Sequence, residues 1–225
     1  MVGVLPYLEQ QTLYDQVGQE QPLSFPANTA ASKTRLSVFL CPSDGMNGRG
    51  LLDNRADLDD ERAVTNYKAC AGSNWAWGDY QNSATTGKWP GETNGYEKGN
   101  GIICRNQDSL RTNFVGMAAV TDGTSNTFAV GESVPAWSKW CWWYWFNGST
   151  GTCSIPLNYR KKLGAGQMAL QFADWNNNSG FMSQHSGGAQ FAFVDGHVQF
   201  VADSIHLEAY RALATVSGSE TLPND

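Results

Sequence analysis

An Asp-Gly pair between two alternating segments constrains the fold of this chain more than any other feature. Residues 190–194 read Gln-Phe-Ala-Phe-Val and residues 197–201 read His-Val-Gln-Phe-Val, with Asp195-Gly196 between them. Each segment has the period-two alternation of a strand with one buried face. Asp-Gly accepts the positive φ angles that a tight turn requires, so this pattern predicts an antiparallel β-hairpin.

Weaker patterns predict the other elements of a single α+β domain over residues 1–225. The hairpin is followed by apolar residues at helical spacing, which predict a helix capped by Asp203-Ser204 and give a C-terminal unit over 185–216. Two segments rich in tryptophan, 73–100 and 137–160, are predicted as long loop insertions. The remaining predictions are an amphipathic helix end within 1–18 and strands at 35–40, 65–72, 101–104 and 128–130.

The composition excludes some classes of partner. Only 16% of the 225 residues are charged, the net charge is −6, and the basic residues cluster only at 160–162. Nucleic-acid binding requires a basic surface, so we expect no nucleic-acid partner. The sequence contains no apolar run of about 18 residues that would span a membrane. It also shows no signal peptide.

Five cysteines leave two interpretations open. Cys141 and Cys153 bracket a predicted turn and form one candidate disulfide, Cys70 and Cys104 form another, and Cys41 is left over. Disulfides would indicate an oxidising compartment. Alternatively, the five are small buried hydrophobic residues. With no Cys-x-x-Cys pair and only three histidines, the spacing predicts no zinc site.

Several short motifs occur in a characteristic order along the chain. His185 is followed after nine residues by Asp195-Gly196. The other motifs are Leu-Pro-Tyr-Leu-Glu-Gln at 5–10, Phe-Leu-Cys-Pro-Ser-Asp at 39–44, Asp-Gly-Thr-Ser-Asn-Thr at 122–127 with Gly131-Glu132, and Leu-Ala-Thr at 213–215. Together they resemble a family of bacterial prepilin-type, pseudopilin-like proteins with a C-terminal H-x(9)-D-G domain.

This resemblance implies a pilin-like α/β roll with an antiparallel sheet, carried on a long N-terminal helix. Residues 1–18 would be the remnant of that helix, because the peptidase site and the hydrophobic spine of the family are absent from the sequence. The full-length protein would then be anchored in a membrane at the cell envelope and face the periplasm or the exterior. Its implied partners are other pilin-like subunits or the secretion machinery.

The motif residues allow both a chemical and a structural interpretation. His185 and Asp195 are residue types that bind metals or exchange protons. A fully extended strand between them would hold them about 30 Å apart, which disfavours direct contact. A turn role explains Asp195-Gly196 and Asp122-Gly123 better than catalysis does.

Carboxylates supply two further hypotheses. A glycoside hydrolase needs a pair of carboxyl groups facing a cleft, and the candidates are Glu132, Asp174 and Glu92. The acidic residues Asp53, Asp57, Asp59 and Asp60 are candidates for binding calcium as a cofactor. Their spacing fits no calcium-loop motif, and a solvated acidic loop explains them equally well.

Tryptophan provides the strongest functional hypothesis. Indole rings on loops rich in glycine and asparagine can stack on sugar rings while neighbouring polar groups bind the hydroxyls. Core packing or subunit contacts are the alternative interpretation. The candidates for glycan binding are Trp75, Trp77, Trp89, Trp142, Trp143 and Trp145, with Asn74, Asp79, Asn82 and Asn147 nearby.

The sequence therefore favours a non-catalytic, envelope-associated head domain that assembles or binds at the cell surface and recognises polysaccharide through tryptophans. A stand-alone carbohydrate-binding module is the first alternative. A carboxylate-dependent glycoside hydrolase is the second.

Overall fold

A five-stranded mixed sheet forms the centre of the computed structural model, which describes residues 1–17, 29–45, 51–52, 61–85, 89–104, 115–164 and 172–219. The strands of this sheet, in spatial order, are β5 (Thr150–Gly151), β3 (Tyr67–Cys70), β4 (Phe128–Glu132), β6 (Gly188–Phe193) and β7 (Val198–Ala202). A separate two-stranded ladder pairs β1 (Leu51–Leu52) with β2 (Arg62–Ala63).

The helices are short. The α-helices are α1 (Gln11–Gln16), α2 (Thr29–Lys33), α3 (Phe146–Ser149), α4 (Trp175–Asn178) and α5 (Leu207–Ala212). Single 3₁₀ turns or short 3₁₀ helices occupy Val2–Leu8, Ser37–Phe39, Met117–Ala119, Thr124–Asn126 and Tyr159–Lys162. Within the described segments, no helix has the length and hydrophobicity needed to cross a membrane.

The structure confirms the predicted hairpin and the α+β class. β6 and β7 pair antiparallel from Gly188 opposite Ala202 to Ala192 opposite Val198. Gly196 has a φ of 94°, a conformation that glycine adopts without steric cost. The sheet is not purely antiparallel, however, because β5 pairs in parallel with β3.

Aromatic side chains fill the space between the sheet and α5. Phe128 of β4 stacks on Phe191 of β6 with ring centroids 4.2 Å apart, and Tyr210 of α5 packs 6.0 Å from Phe191. A Cβ atom on Gly131 would lie 2.5 Å from the Phe191 ring and 2.6 Å from the Phe181 ring. Only glycine therefore allows β4 to lie this close to the core rings.

A second core joins the N-terminal helices to the aromatic segment at 140–146. The described part of the predicted helix end at 1–18 forms two short helices instead of one, because Glu9 adopts a left-handed conformation (φ 57°) between the 3₁₀ helix and α1. Leu5 and Leu13 are buried in this core together with Trp142 and Trp143. The N-terminal segment therefore packs against the aromatic segment at 140–146.

Three local predictions were wrong. Residues 35–40 form a 3₁₀ turn at Ser37–Phe39 instead of a strand, and residues 101–104 are irregular. The cap position of α5 is His206, since Asp203 instead accepts a hydrogen bond from Asn158. Both irregular segments bond to the region around β3: the Asn66 amide donates to the Phe39 carbonyl, and the amides of Gly101 and Ile103 donate to the carbonyls of residues 71 and 70.

The sheet core predicts different effects for two phenylalanines on neighbouring strands. Phe191→Ala removes a fully buried ring and should lower the free energy of unfolding by about 3–5 kcal/mol. Phe200→Ala, on β7 with 43% of the residue exposed, should cost about 1 kcal/mol. Urea unfolding followed by circular dichroism measures both values, and equal losses would contradict this placement of the core.

Candidate functional site

A fully buried tryptophan anchors a cluster of four aromatic side chains. The indole nitrogen of Trp75 donates a hydrogen bond to the carbonyl of Asn176 (2.8 Å). The rings of Trp77 and Tyr96 each pack 4.8 Å from Trp75, and the ring of Trp175 packs 6.1 Å away. Trp75 thus packs against the other three rings on the buried side of the cluster.

An open cleft of about 430 Å³ lies next to this cluster. Trp77 and Trp175, whose ring centroids are 5.1 Å apart, line it together with Trp140. All three are partly exposed. Amide, carboxyl and phenol groups complete the lining, contributed by Asn94, Tyr96, Glu97 and Asn147. The size and the mixture of aromatic and polar groups are typical of small-ligand sites, which measure about 300–1,000 Å³.

The structure divides the tryptophans proposed for glycan binding. Trp75, Trp142 and Trp143 are fully buried, so they contact the interior. Although Trp142 and Trp143 are adjacent, both rings are buried, because their segment makes only an isolated bridge to Val64 and does not alternate as a strand would. Trp77, Trp89 and Trp145 remain partly exposed, and of these only Trp77 is among the residues lining the described cleft.

The polar candidates mainly stabilise the loops. The Asn74 amide donates to the carbonyls of Glu92 and Lys98, and Asn82 donates to the carbonyl of Ser73. Asp79 is exposed and binds Asn177. The sequence prediction did not include Trp140, Trp175 and Tyr96, which the fold brings to the cleft. The Trp-Asn-Asn-Asn run at 175–178 has the same combination of aromatic and amide side chains as the loops at 73–100 and 137–160.

A second site brings together Cys41, Glu132 and His185. One ligand-type atom from each residue lies within 4.8 Å of those of the other two. The His185 Nε2 atom is 3.3 Å from Glu132 Oε1, and the Cys41 sulfur is 4.0 Å from the same oxygen. The three residues belong to three different sequence motifs, at 39–44, 131–132 and 185–196. Thiol, carboxyl and imidazole together form a donor set suited to a transition metal.

Asn66 fixes the turn that carries Cys41. Its side-chain oxygen accepts a hydrogen bond from the Cys41 amide (3.0 Å), and its side-chain nitrogen donates to Asp44 (2.6 Å). Gln184 donates to the other oxygen of Asp44 (2.7 Å), which links the turn to the loop before β6. These hydrogen bonds fix the turn of Cys41 against the segment that carries His185.

Glu132 is oriented by the end of the sheet. One carboxylate oxygen accepts a hydrogen bond from the amide of Gln190 on β6 (2.7 Å), which leaves the other oxygen directed at His185 and Cys41. Burial, together with the nearby Cys41 and Glu132, raises the pKa of Tyr67 above its usual value. Tyr67 therefore remains a neutral phenol beside the cluster at neutral pH.

The other motif residues have structural contacts. Asp195 binds the side chain and the amide of His197, and these hydrogen bonds lower the pKa of the Asp195 carboxyl. Asp122, next to Gly123 with its φ of 97°, accepts hydrogen bonds from Thr215 and from the amides of Gly218 and Ser219. Neither aspartate is hydrogen-bonded to His185 in the described contacts.

The carboxylates considered for glycoside cleavage lie in three different settings. Glu132 belongs to the Cys41 cluster, Glu92 forms an ion pair with Lys98, and Asp174 caps α4 by accepting from the amide of Asn176 (3.2 Å). None of the three is part of the lining of the aromatic cleft. The calcium candidates Asp53, Asp57, Asp59 and Asp60 lie outside the described residues.

The cysteine contacts differ from the predicted pairs. All five cysteines lie in described segments and are thiols. The sulfur atoms of Cys70 and Cys153 are 4.0 Å apart in the sheet core, whereas Cys141 contacts the Ser133 hydroxyl at 3.1 Å. The parallel pairing of β3 with β5 brings Cys153 to Cys70, and this pairing was not foreseen from the sequence.

Comparison with known families identifies the chain at the family level. A family model described as "Protein of unknown function (DUF1559)" matches residues 1–208. The chain belongs to the DUF1559 family. No curated protein and no solved structure matches it. Membership in DUF1559 names no activity and no prepilin or pseudopilin relationship, so the pilin-type part of the resemblance stays a proposal.

Burial predicts unequal reactivity for the cysteines of this DUF1559 chain. Cys70 and Cys153 are fully buried, and burial together with Cys70 raises the pKa of the Cys153 thiol well above its usual value. Cys104 is partly exposed. Iodoacetamide should label Cys104 in the folded protein and reach Cys70 and Cys153 only after denaturation, as peptide mapping by mass spectrometry would measure. Labelling of all three at one rate would contradict the core placement.

Proposed function

We propose that this DUF1559 protein is a non-catalytic head domain of the cell envelope that binds polysaccharide in the cleft lined by Trp77, Trp140 and Trp175. The observation that carries the proposal is the cleft itself, an open volume of about 430 Å³ with three partly exposed indole rings and several polar groups on its lining. The alternative of a stand-alone carbohydrate-binding module uses the same surface.

The chemistry of the lining supports a sugar ligand. The face of an indole ring carries partial negative charge and attracts the weakly positive C–H groups of a pyranose ring. Asn94, Asn147 and Glu97 add amide and carboxyl groups at the same cleft, and these suit hydroxyl groups. A neutral, hydroxyl-rich chain fits this combination better than a charged ligand does.

The support structure under the rings favours binding by a preformed surface. Trp75 is fully buried and hydrogen-bonded, and it contacts Trp77 and Trp175 edge-on, at interplanar angles of 73° and 75°. Rings held in this way lose little conformational entropy when a ligand binds. Glycoside cleavage needs a pair of carboxyl groups, and among the described residues that line the cleft Glu97 alone carries one, which supports binding without cleavage.

Location and partners belong to the same proposal. The order of the motifs at 5–10, 39–44, 122–132 and 185–196 supports a pilin-type head at the periplasmic or extracellular surface. Its protein partners would be other pilin-like subunits or secretion machinery.

Removing a lining ring should weaken binding of soluble glucans and related β-linked polysaccharides. We expect Trp77→Ala and Trp175→Ala to lower affinity by about tenfold or more, because each loses one stacking surface. Tryptophan fluorescence titration and affinity electrophoresis measure the change. Trp89→Ala is the matched control, since Trp89 is also partly exposed but is not part of the cleft lining, and it should bind as the wild type does.

Two measurements keep this test decisive. Trp175→Phe retains an aromatic ring on Trp75 and should restore most of the binding, which separates loss of a contact from loss of the fold. Assays for reducing sugar should show no product. Equal affinity in the wild type and both alanine variants would refute the cleft, and product release would refute the non-catalytic role.

A further inference from the structure

We propose that Cys41, Glu132 and His185 form a binding site for a single Zn²⁺ ion, separate from the aromatic cleft. None of the three residues lines the cleft formed by Trp77, Trp140 and Trp175. The site therefore adds a function to the chain that does not depend on polysaccharide binding.

The distances suit tetrahedral coordination. With Zn–N and Zn–O bonds of about 2.0–2.1 Å and a Zn–S bond of about 2.3 Å, ligand atoms stand about 3.3 Å (N to O) and about 3.5 Å (S to O) apart. The nitrogen of His185 is 3.3 Å from the Glu132 oxygen, and the Cys41 sulfur is 4.0 Å from it. On binding, the Cys41 sulfur would move about 0.5 Å toward this oxygen, and the sulfur and the imidazole nitrogen, which lie within 4.8 Å of each other, would approach to about 3.5 Å.

Charge balance favours a dication at this position. Glu132 is 5% exposed and Cys41 is 9% exposed, so a negative charge on either one is costly without a cation. Zn²⁺ binding displaces the thiol proton of Cys41 to solvent, and the resulting thiolate and the Glu132 carboxylate together neutralise the ion. Neutral His185 supplies the third donor. Thiolate and imidazole favour zinc over calcium or magnesium, which prefer oxygen ligands.

The surroundings hold the ligands and leave a route to them. Gln190 binds the second oxygen of Glu132, and Asn66 holds the turn of Cys41. A cavity of about 10 Å³ beside the three residues has room for one small ion or water. A larger open pocket of about 380 Å³ also borders Cys41, Glu132 and His185, so solvent reaches the site and can supply the fourth ligand.

Such an ion would join three parts of the chain. It would tie the turn at 41–44, the end of β4 and the loop before β6, which are distant in sequence. Zinc bound in this way stabilises the folded state, because the unfolded chain does not present the three donors together.

Metal titration of the purified chain tests the site. We expect a single Zn²⁺ per chain after dialysis, removal by a chelator with a lower melting temperature, and recovery on adding zinc. Co²⁺ should replace zinc and give a near-ultraviolet band from thiolate-to-cobalt charge transfer. Cys41→Ser should abolish that band, and His185→Ala and Glu132→Gln should lower affinity by more than about a hundredfold, beyond the loss typical of residues that only orient a ligand.

Two control variants and one measurement on the wild-type protein complete the experiment. Cys104→Ser and His206→Ala change the same residue types outside the cluster and should leave metal binding unchanged. In the wild type, zinc should slow alkylation of Cys41 but not of Cys104, a result that needs no variant to fold. Absence of the cobalt band together with unchanged Cys41 alkylation would overturn the proposal, as would full binding by folded Cys41→Ser or His185→Ala.

Discussion

The pairing of β4 with β3 on one side and β6 on the other is the constraint on which the rest of the structure depends. Phe128 at one end of β4 belongs to the aromatic core, and Glu132 at the other end belongs to the cysteine–histidine cluster. Gly131 lets the strand approach the Phe181 and Phe191 rings, where a side chain would collide. A shift of β4 by one residue would exchange its two faces, and both the core and the cluster would be lost.

Buried polar contacts hold the described parts of the loop at 73–100, which is rich in tryptophan. Asn74 and Asn100 bind backbone groups within the 73–100 segment, and the Trp75 indole is tied to α4. Side-chain amides thus replace the hydrogen bonds that regular strands or helices would supply. Some tryptophans are thereby held in the interior, where they pack, and others line the cleft.

Local signals explain which predictions succeeded. The hairpin at Asp195-Gly196 needs only its own residues and a positive φ at Gly196, so the sequence was sufficient to predict it. The parallel contact of β5 with β3 and the meeting of Cys41, Glu132 and His185 depend on partners far apart in the chain. Motif order pointed to these residues but not to their proximity, and spacing rules for zinc sites examine only neighbouring ligands. The sequence also did not show which tryptophans are exposed. Trp142 and Trp143 both point inward because their segment is irregular.

NMR of the indole N–H groups tests the central claim most directly, because each of the nine tryptophans contributes its own resonance. The protein would be titrated with β-linked gluco-, manno-, xylo- and chito-oligosaccharides, with resonances assigned by Trp→Phe variants. Polysaccharide binding at the cleft predicts that the signals of Trp77, Trp140 and Trp175 shift together with one of these sugars, while Trp89 stays unchanged. If none of the three moves at any sugar concentration, or if Trp89 moves and they do not, the cleft is not a glycan site.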